Sequence, residues 1–532
     1  MSKLKTLLFL FLSLIAVETF AGPDGPDKIK MTKARLKFNE QDYAAALKMY
    51  QDMYNQFPDD AELNFRIAEC KIQMKDQAGA IPYLEKAKTS NDKIDKMLYL
   101  YLGKAYQESD RLEDAIKAYE SFYNVKGVEK SDAEQAIYYK KQCQTALELM
   151  KHPLSVRITN MGERINSDHN DYHPSFTADG KTLILTSRRG EGKNAKKDVN
   201  DDEFFEDIYM SHFNDTTREW EKAEPVIGAL NTDGHDAAFS ITADGKRILS
   251  YKNENGGDIF QSKSNKNGKW SAPAPFPKPI NSPYWESYAC LSADGKTIYF
   301  VSERKDGFGS GDIYVSHKEG RDGWGKPENL GSKVNSSEDE VGVFLHPDGK
   351  TLFFSSKRAN SMGGYDIFKT TFDGTEWSSP ENLGYPINTT GDEVDFVLAT
   401  DGKKGYFVSR REGSIGGFDI FQVDLSNHNI MNSADFKANA SNGLSILKGT
   451  VIDKDANTIY GASIKVLDAE GKLIASAESD EEGNYFLTLE GDKDYTVQFS
   501  ATGFSDNSEK VYLPKEAGAT ATLSKALVLE RK

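Results

Sequence analysis

From Glu340 to Lys369 the chain alternates apolar and polar positions, breaks at Asp348-Gly349, alternates again, passes a glycine-rich loop and resumes at Asp366-Ile367-Phe368. Period-two alternation predicts half-buried strands, and Asp-Gly between two such runs predicts a tight hairpin, because its turn needs positive φ at the central residues. The unit occurs five times. Asp-Gly-Lys recurs at Asp179, Asp244, Asp294, Asp348 and Asp401, and Asp-Ile-aromatic at Asp207, Asp258, Asp312, Asp366 and Asp419, at spacings of 50 to 65 residues. Five copies at that period predict a radial array of four-stranded blades.

Fourth strands are expected where Trp220, Trp270, Trp324 and Trp377 open short segments leading to Leu230-Asn231, Ile280-Asn281, Val334-Asn335 and Ile387-Asn388. No such segment follows the fifth triplet. Its counterpart, 155–162, precedes the first and runs to Ile165-Asn166. An N-terminal strand that completes the last blade removes the exposed sheet edge, so the expectation is a five-bladed ring over 154–425. The alternative, six blades, needs a triplet that the sequence lacks. Ala178-Asp179-Gly180-Lys181, Pro347-Asp348-Gly349-Lys350 and Ser302-Glu303-Arg304 make these units resemble the TolB-type, or PD40, β-propeller repeat.

Before the ring the period changes to that of helices. Ala46, Ala80 and Ala115 stand 34 and 35 residues apart, each followed four residues on by Tyr50, Leu84 or Tyr119. Leu102-Gly103, Tyr106 and Phe122 complete the best unit, and Pro58 closes the first. Region 28–150 thus resembles tetratricopeptide repeats ending in a capping helix, a solenoid suited to protein contacts or to a spacer role. After a polar stretch read as a linker over 426–444, short strands around Gly449-Thr450-Val451, Tyr460 to Ile464, Asn484-Tyr485-Phe486 and Tyr495-Thr496-Val497 predict a small β-sandwich over 445–532. It resembles the carboxypeptidase regulatory-like domain. At the front, Lys3 and Lys5, an apolar run from Leu7 to Val17 and Thr19-Phe20-Ala21 form a signal-peptide pattern over 1–21. The run is short for a membrane span.

Charge narrows the function. The net charge of −16 argues against nucleic acid, which calls for clustered Lys and Arg. Cys70, Cys143 and Cys290 lack metal-type spacing and read as buried thiols. Eight residues before each turn Asp stands a carboxylate: Asp171, Asp236, Glu286, Glu340 and Glu393. These form a candidate acidic ring at one propeller mouth. Ten residues after the turn stand Arg189, Arg304, Arg358 and Arg411 in four blades, nearly opposite the acids, so one internal ion pair per blade is the favoured reading. Blade two departs from this, with Asp236 facing Glu254 and Lys252 nearby, and is the blade that would present a free acidic site if any does.

Other patterns are weaker. Asp198, Asn200 and Asp202 have calcium-loop spacing, but Glu203 stands where glycine is required. His169, His173 and His235 have no further metal-type support. Gly320 to Lys326 approaches a phosphate loop, but Pro327 replaces the Ser or Thr. Neither G-x-S-x-G nor H-E-x-x-H occurs, so no enzyme and no cofactor are expected.

Helical repeats, propeller and sandwich, in that order, resemble the periplasmic accessory proteins of Bacteroidetes associated with type IX secretion and gliding, and related OmpA-family envelope proteins. An OmpA-like domain is not found after the sandwich, so direct peptidoglycan binding is not expected. The resemblance implies a non-catalytic periplasmic scaffold, peripheral to the outer membrane, whose partners are envelope proteins met through the repeats and propeller. The alternatives are a propeller that binds or senses a glycan or small molecule, and a hydrolase whose residues are scattered.

Overall fold

The structure is a computed structural model that describes residues 25–532, apart from 192–195, 199–201, 254–255, 321–322, 432–442 and 517–519. The segment expected to be a signal peptide lies outside the described residues. Among those described, no helix is long and apolar enough to cross a membrane.

Among the described residues the N-terminal unit has seven helices, Lys28–Asn39, Tyr43–Tyr54, Ala61–Gln73, Gln77–Ser90, Leu98–Gln107, Leu112–Tyr123 and Lys130–Lys151. Asp27, Asp42, Asp60 and Asp76 each cap a helix start by accepting backbone N–H bonds that the helix cannot satisfy itself. Ala46, Ala80 and Ala115 are fully buried where paired helices cross, and Tyr50, Leu84 and Tyr119 fill the space beside them. Gly103 shows why the repeat pattern has a glycine there: a Cβ would lie 2.4 Å from the Tyr119 ring. The Tyr119 hydroxyl donates to Gln107 Oε1 at 2.7 Å, a buried polar contact between the two helices of the last repeat.

The propeller has five sheets. Each runs from an inner strand through a second and a third to a short outer one, as in Glu340–Leu345, Thr351–Ser356, Asp366–Thr371 and Glu381–Asn382. In blade five the outer strand is Arg157–Asn160, paired antiparallel with Asp419–Asp424, so chain start and chain end share one sheet. Inner strands of neighbouring blades pack side by side, and that of blade five returns against that of blade one. Large apolar side chains fill the interfaces between blades, among them Phe353, Phe354, Phe368, Phe396 and Phe407, all fully buried.

The C-terminal sandwich has two four-stranded sheets. Leu444–Asp453 is central to one, pairing antiparallel with Asn484–Glu490 and parallel with Thr522–Ser524 and Leu527–Leu529. The other runs Leu473–Glu478, Ser463–Leu467, Lys493–Ser500, Asn507–Leu513. The sandwich rests on the Asp-Gly turn end of the propeller. Lys246 Nζ meets Asp480 Oδ2 at 2.5 Å, and the Thr488 hydroxyl donates to the Pro347 carbonyl at 2.7 Å. The stretch read as a linker is not a uniform spacer: Ile430 and Met431 are buried against blades four and five, and Lys369 donates to the Ile430 carbonyl at 2.8 Å. Its residues 432–442 lie outside the described ones, and Leu444 already belongs to the first sandwich strand.

Candidate functional site

Four inner strands begin with one of the carboxylates and the fifth, Ala237–Ile241, directly follows Asp236; all five acids are buried, with exposures between 0% and 2%. In blade four, Glu340 pairs across the hairpin with Ser356, and Arg358 reaches back from two residues beyond. Arg358 donates to Glu340 Oε1 at 2.9 Å and to the Val334 carbonyl at 2.5 Å. Ser336 adds its backbone N–H at 3.1 Å and its hydroxyl at 2.6 Å. Blade five repeats this with Glu393, Arg411 at 2.8 Å, the Ile387 carbonyl and Thr389. Blade one does so with Asp171, Arg189 at 2.6 Å, the Ile165 carbonyl and Ser167. In blade three Glu286 and Arg304 are 3.4 Å apart, with Ser282 and the Ile280 carbonyl completing the set. The guanidinium also covers aromatic rings, as Arg358 does over Phe354 and Phe368 at 5.1 Å each.

These five acids therefore do not form an open ring at the mouth. A buried carboxylate needs a partner and hydrogen bonds to stay ionised, and here both come from within the protein. Burial alone would push Glu340 up, and it is raised above the usual carboxylate range even with Arg358 and Ser336 holding it down. Blade two is no exception in kind. Asp236 pairs with Lys252 at 3.3 Å and accepts from both the backbone and the hydroxyl of Thr232, so among the described residues this acid too is held within its blade. Glu254 lies outside the described residues.

The structure adds a component that was not anticipated. Asn166, Asn231, Asn281, Asn335 and Asn388 each stand immediately before the Ser or Thr that caps the carboxylate. Each side chain accepts from the N–H and donates to the C=O of one isoleucine in the third strand of the preceding blade: Ile420, Ile208, Ile259, Ile313 and Ile367. The amide stands in for a fourth strand where the chain leaves the sheet. One connector, Asn-Ser/Thr followed by the acid, thus holds the preceding blade by its Asn and the following blade by its acid. The period of Asn-Ser/Thr, five residues ahead of each carboxylate, was the signal available in the sequence.

The Asp of Asp-Ile-aromatic fastens the loop between second and third strands. Asp366 accepts from Met362 N at 2.8 Å and Asn382 Nδ2 at 2.6 Å, and Asp419 from Ile415 N and Asn160 Nδ2, each at 2.6 Å. Asp366 is fully buried, and burial, then the nearby Glu393 charge, holds its carboxyl well above the usual range.

The histidines are dispersed. His169 stacks on Phe204, and His235 lies between Glu206 and Asp198 Oδ2, the latter at 3.1 Å from Nε2. Asp202 pairs with Lys197 and Glu203 with Arg188, while Asn200 lies outside the described residues. No group of three or more His, Cys, Asp or Glu side chains able to hold a metal occurs among the described residues. Burial raises the Cys70, Cys143 and Cys290 thiols to about 12, away from reactive thiolate. His173 reaches the centre of the ring instead, beside Asp395.

Residues 38–93 match the tetratricopeptide repeat family and residues 446–527 the carboxypeptidase regulatory-like domain family. No curated protein sequence matches the chain. Among solved structures it is similar to TolB from Acinetobacter baumannii, at 17% identity over 49% of this chain and 56% of that one, with a TM-score of 0.28. It is also similar to the periplasmic gluconolactonase PpgL of Pseudomonas aeruginosa, at 10% identity over 59% of this chain and 87% of that one, TM-score 0.27. The first tetratricopeptide repeat of Spaghetti (RPAP3), bound to an HSP90 peptide, matches at 19% identity over 24% of this chain and 99% of that one, TM-score 0.21. The chain spans between 55% and 60% of the length of TolB and of the catechol-type dioxygenases that it also matches.

Two stability measurements check this reading. Arg358→Met leaves Glu340 buried without its cation and should cost about 3–5 kcal/mol in urea unfolding, whereas the double change Glu340→Gln with Arg358→Met should recover much of that loss. Equal losses in both would contradict a coupled pair. For Asp366 the sign is opposite to the usual acidic case. A carboxyl raised on folding stabilises the folded state while protonated, and that contribution falls as pH rises from the unfolded value near about 3.9. Asp366→Asn should therefore gain on the wild type between about pH 4 and 7. Parallel stability curves would show that the group is not raised.

Proposed function

We propose that this protein is a non-catalytic scaffold of the cell envelope, exported by its N-terminal segment and holding envelope proteins together through its helical repeats and propeller. The observation that carries the reading is the internal use of the ring's most conspicuous charged residues. Asp171, Glu286, Glu340 and Glu393 are each bound to an arginine of their own blade, and Asp236 to Lys252, so they are unavailable as acids, bases or metal ligands. The modules that remain are of kinds built from repeats, which offer extended surfaces. The order of domains supports the periplasm, beside the outer membrane, as the setting, with type IX secretion or gliding machinery as the assembly served.

The test is crosslinking and affinity capture of the full chain from its native envelope, repeated with residues 28–150 deleted. Recovery of secretion or outer-membrane proteins that disappears with the deletion is the expected result. A full chain that brings down no envelope protein would overturn the scaffold reading.

A further inference from the structure

Every inner strand of the propeller carries a β-bulge near its middle. In four blades a residue six before the turn Asp sits there with positive φ: His173 at 51°, Tyr288 at 45°, Gly342 at 62° and Asp395 at 55°. Glycine adopts this conformation freely, as blade four demonstrates. His, Tyr and Asp hold it under strain, which accumulates where side chains serve a ligand. The three side chains converge on the throat of the channel.

There they line a cavity of about 20 Å³ together with Phe239 and Gly342. A single water-sized group needs roughly 10–15 Å³ on the same measure, so the throat admits one such group and excludes a sugar ring or a trimethylated nitrogen. Asp395 is 7% exposed. Its contacts with His173 both fall on Oδ2, from the backbone N–H at 3.2 Å and from Nε2 at 3.6 Å. Oδ1 instead borders the space above Gly342, where a Cβ would stand 3.1 Å from it. His173 Nδ1 is buried and has no hydrogen-bond partner. With the imidazole proton on Nε2, facing Asp395, Nδ1 is a second acceptor. Burial raises the Asp395 carboxyl, and only His173 opposes this.

Aromatic rings run from this pair outwards. Tyr288 lies 5.4 Å from His173 and 5.7 Å from Phe239, Phe239 lies 6.0 Å from Tyr251, and Tyr251 stacks at 5.9 Å on Trp285. Trp285 is 46% exposed and immediately precedes Glu286, at the mouth opposite the sandwich. The throat thus presents Asp395 Oδ1 and His173 Nδ1 beside aromatic rings, in a hole sized for one donor-rich group.

We infer that the propeller throat binds a primary ammonium group on an alkyl stem, such as the end of a lysine side chain, with the ammonium donating to Asp395 Oδ1 and His173 Nδ1 and the stem lying against Tyr288 and Phe239. This goes beyond the scaffold reading and does not depend on it. The five charged clamps take no part, since each is satisfied within its blade.

Calorimetric titration of the full chain with n-butylammonium, against tetramethylammonium and sodium at equal ionic strength, tests the site. Saturable binding of n-butylammonium alone is expected, weakened about tenfold or more in Asp395→Asn, the scale of one charge-assisted hydrogen bond. Phe239→Leu, which shortens a ring lining the cavity, should weaken it several-fold while the chain still unfolds cooperatively. It decides the matter should Asp395→Asn fail to fold. A glycine-flanked lysine peptide that binds more tightly than n-butylammonium would support a lysine of a partner chain as the group's source, and the reverse order a free amine. No binding of n-butylammonium to the folded chain, equal binding of tetramethylammonium or sodium, or binding indifferent to Phe239→Leu would overturn the inference.

Discussion

The connector between blades is the constraint on which the propeller depends. Five short segments each place an Asn amide on the third strand of one blade and a capped, cation-bound carboxylate at the head of the next. A ring of sheets has a specific difficulty: blades meet through apolar side chains, which pack well but do not fix rotation or register. Directional bonds to buried backbone fix both, because a displaced Asn335 would leave the N–H and C=O of Ile313 buried and unpaired. The same device closes the circle. Asn166 holds Ile420, 254 residues away in sequence, while Arg157–Asn160 supplies the missing strand of that blade. Closure gives blade five an outer strand of its own, so its third strand is not left as an open edge.

This use of charge bears on function. A ring with five acids and four arginines at equivalent positions invites a catalytic or ion-binding reading, yet the geometry spends those groups on holding the blades. What differs between blades is then more informative than what repeats. At the bulge of the inner strand the residues are His, Tyr, Gly and Asp in blades one, three, four and five, and the side chains of the first, second and last meet at the axis. Repetition there serves the fold, and deviation from it supplies the chemistry. The sandwich lies against the opposite, Asp-Gly end through the Lys246–Asp480 pair, which leaves the mouth at Trp285 as the approach to the throat.

Much of the architecture was legible in the sequence because each element repeats. Five Asp-Gly turns gave the blade count, and the displaced segment before Asn166 gave the closure, since a strand without a neighbour must find one. The pairing of Glu340 with Arg358 was legible from offsets within one hairpin. The role of Asn335 was not, because its partners are backbone atoms of Ile313, and backbone groups leave no trace in residue identity. Nor was the His173–Asp395 contact, which joins positions 222 residues apart and differs from blade to blade. The pairing of Asp236 could not be read from the arginine offset, because there the Lys252 side chain takes the place that arginine fills elsewhere. Ile430 and Met431 were hidden among polar neighbours in the stretch read as a linker.

The account's central claim is that the connectors make the propeller one cooperative ring closed at Asn166. Native-state hydrogen exchange on the intact chain tests this directly. The amides of Ile420, Ile208, Ile259, Ile313 and Ile367 should exchange with one common free energy, equal to that of global propeller unfolding. If Ile420 exchanges far faster than the other four, blade five opens by itself, and the ring is not held closed by its connector.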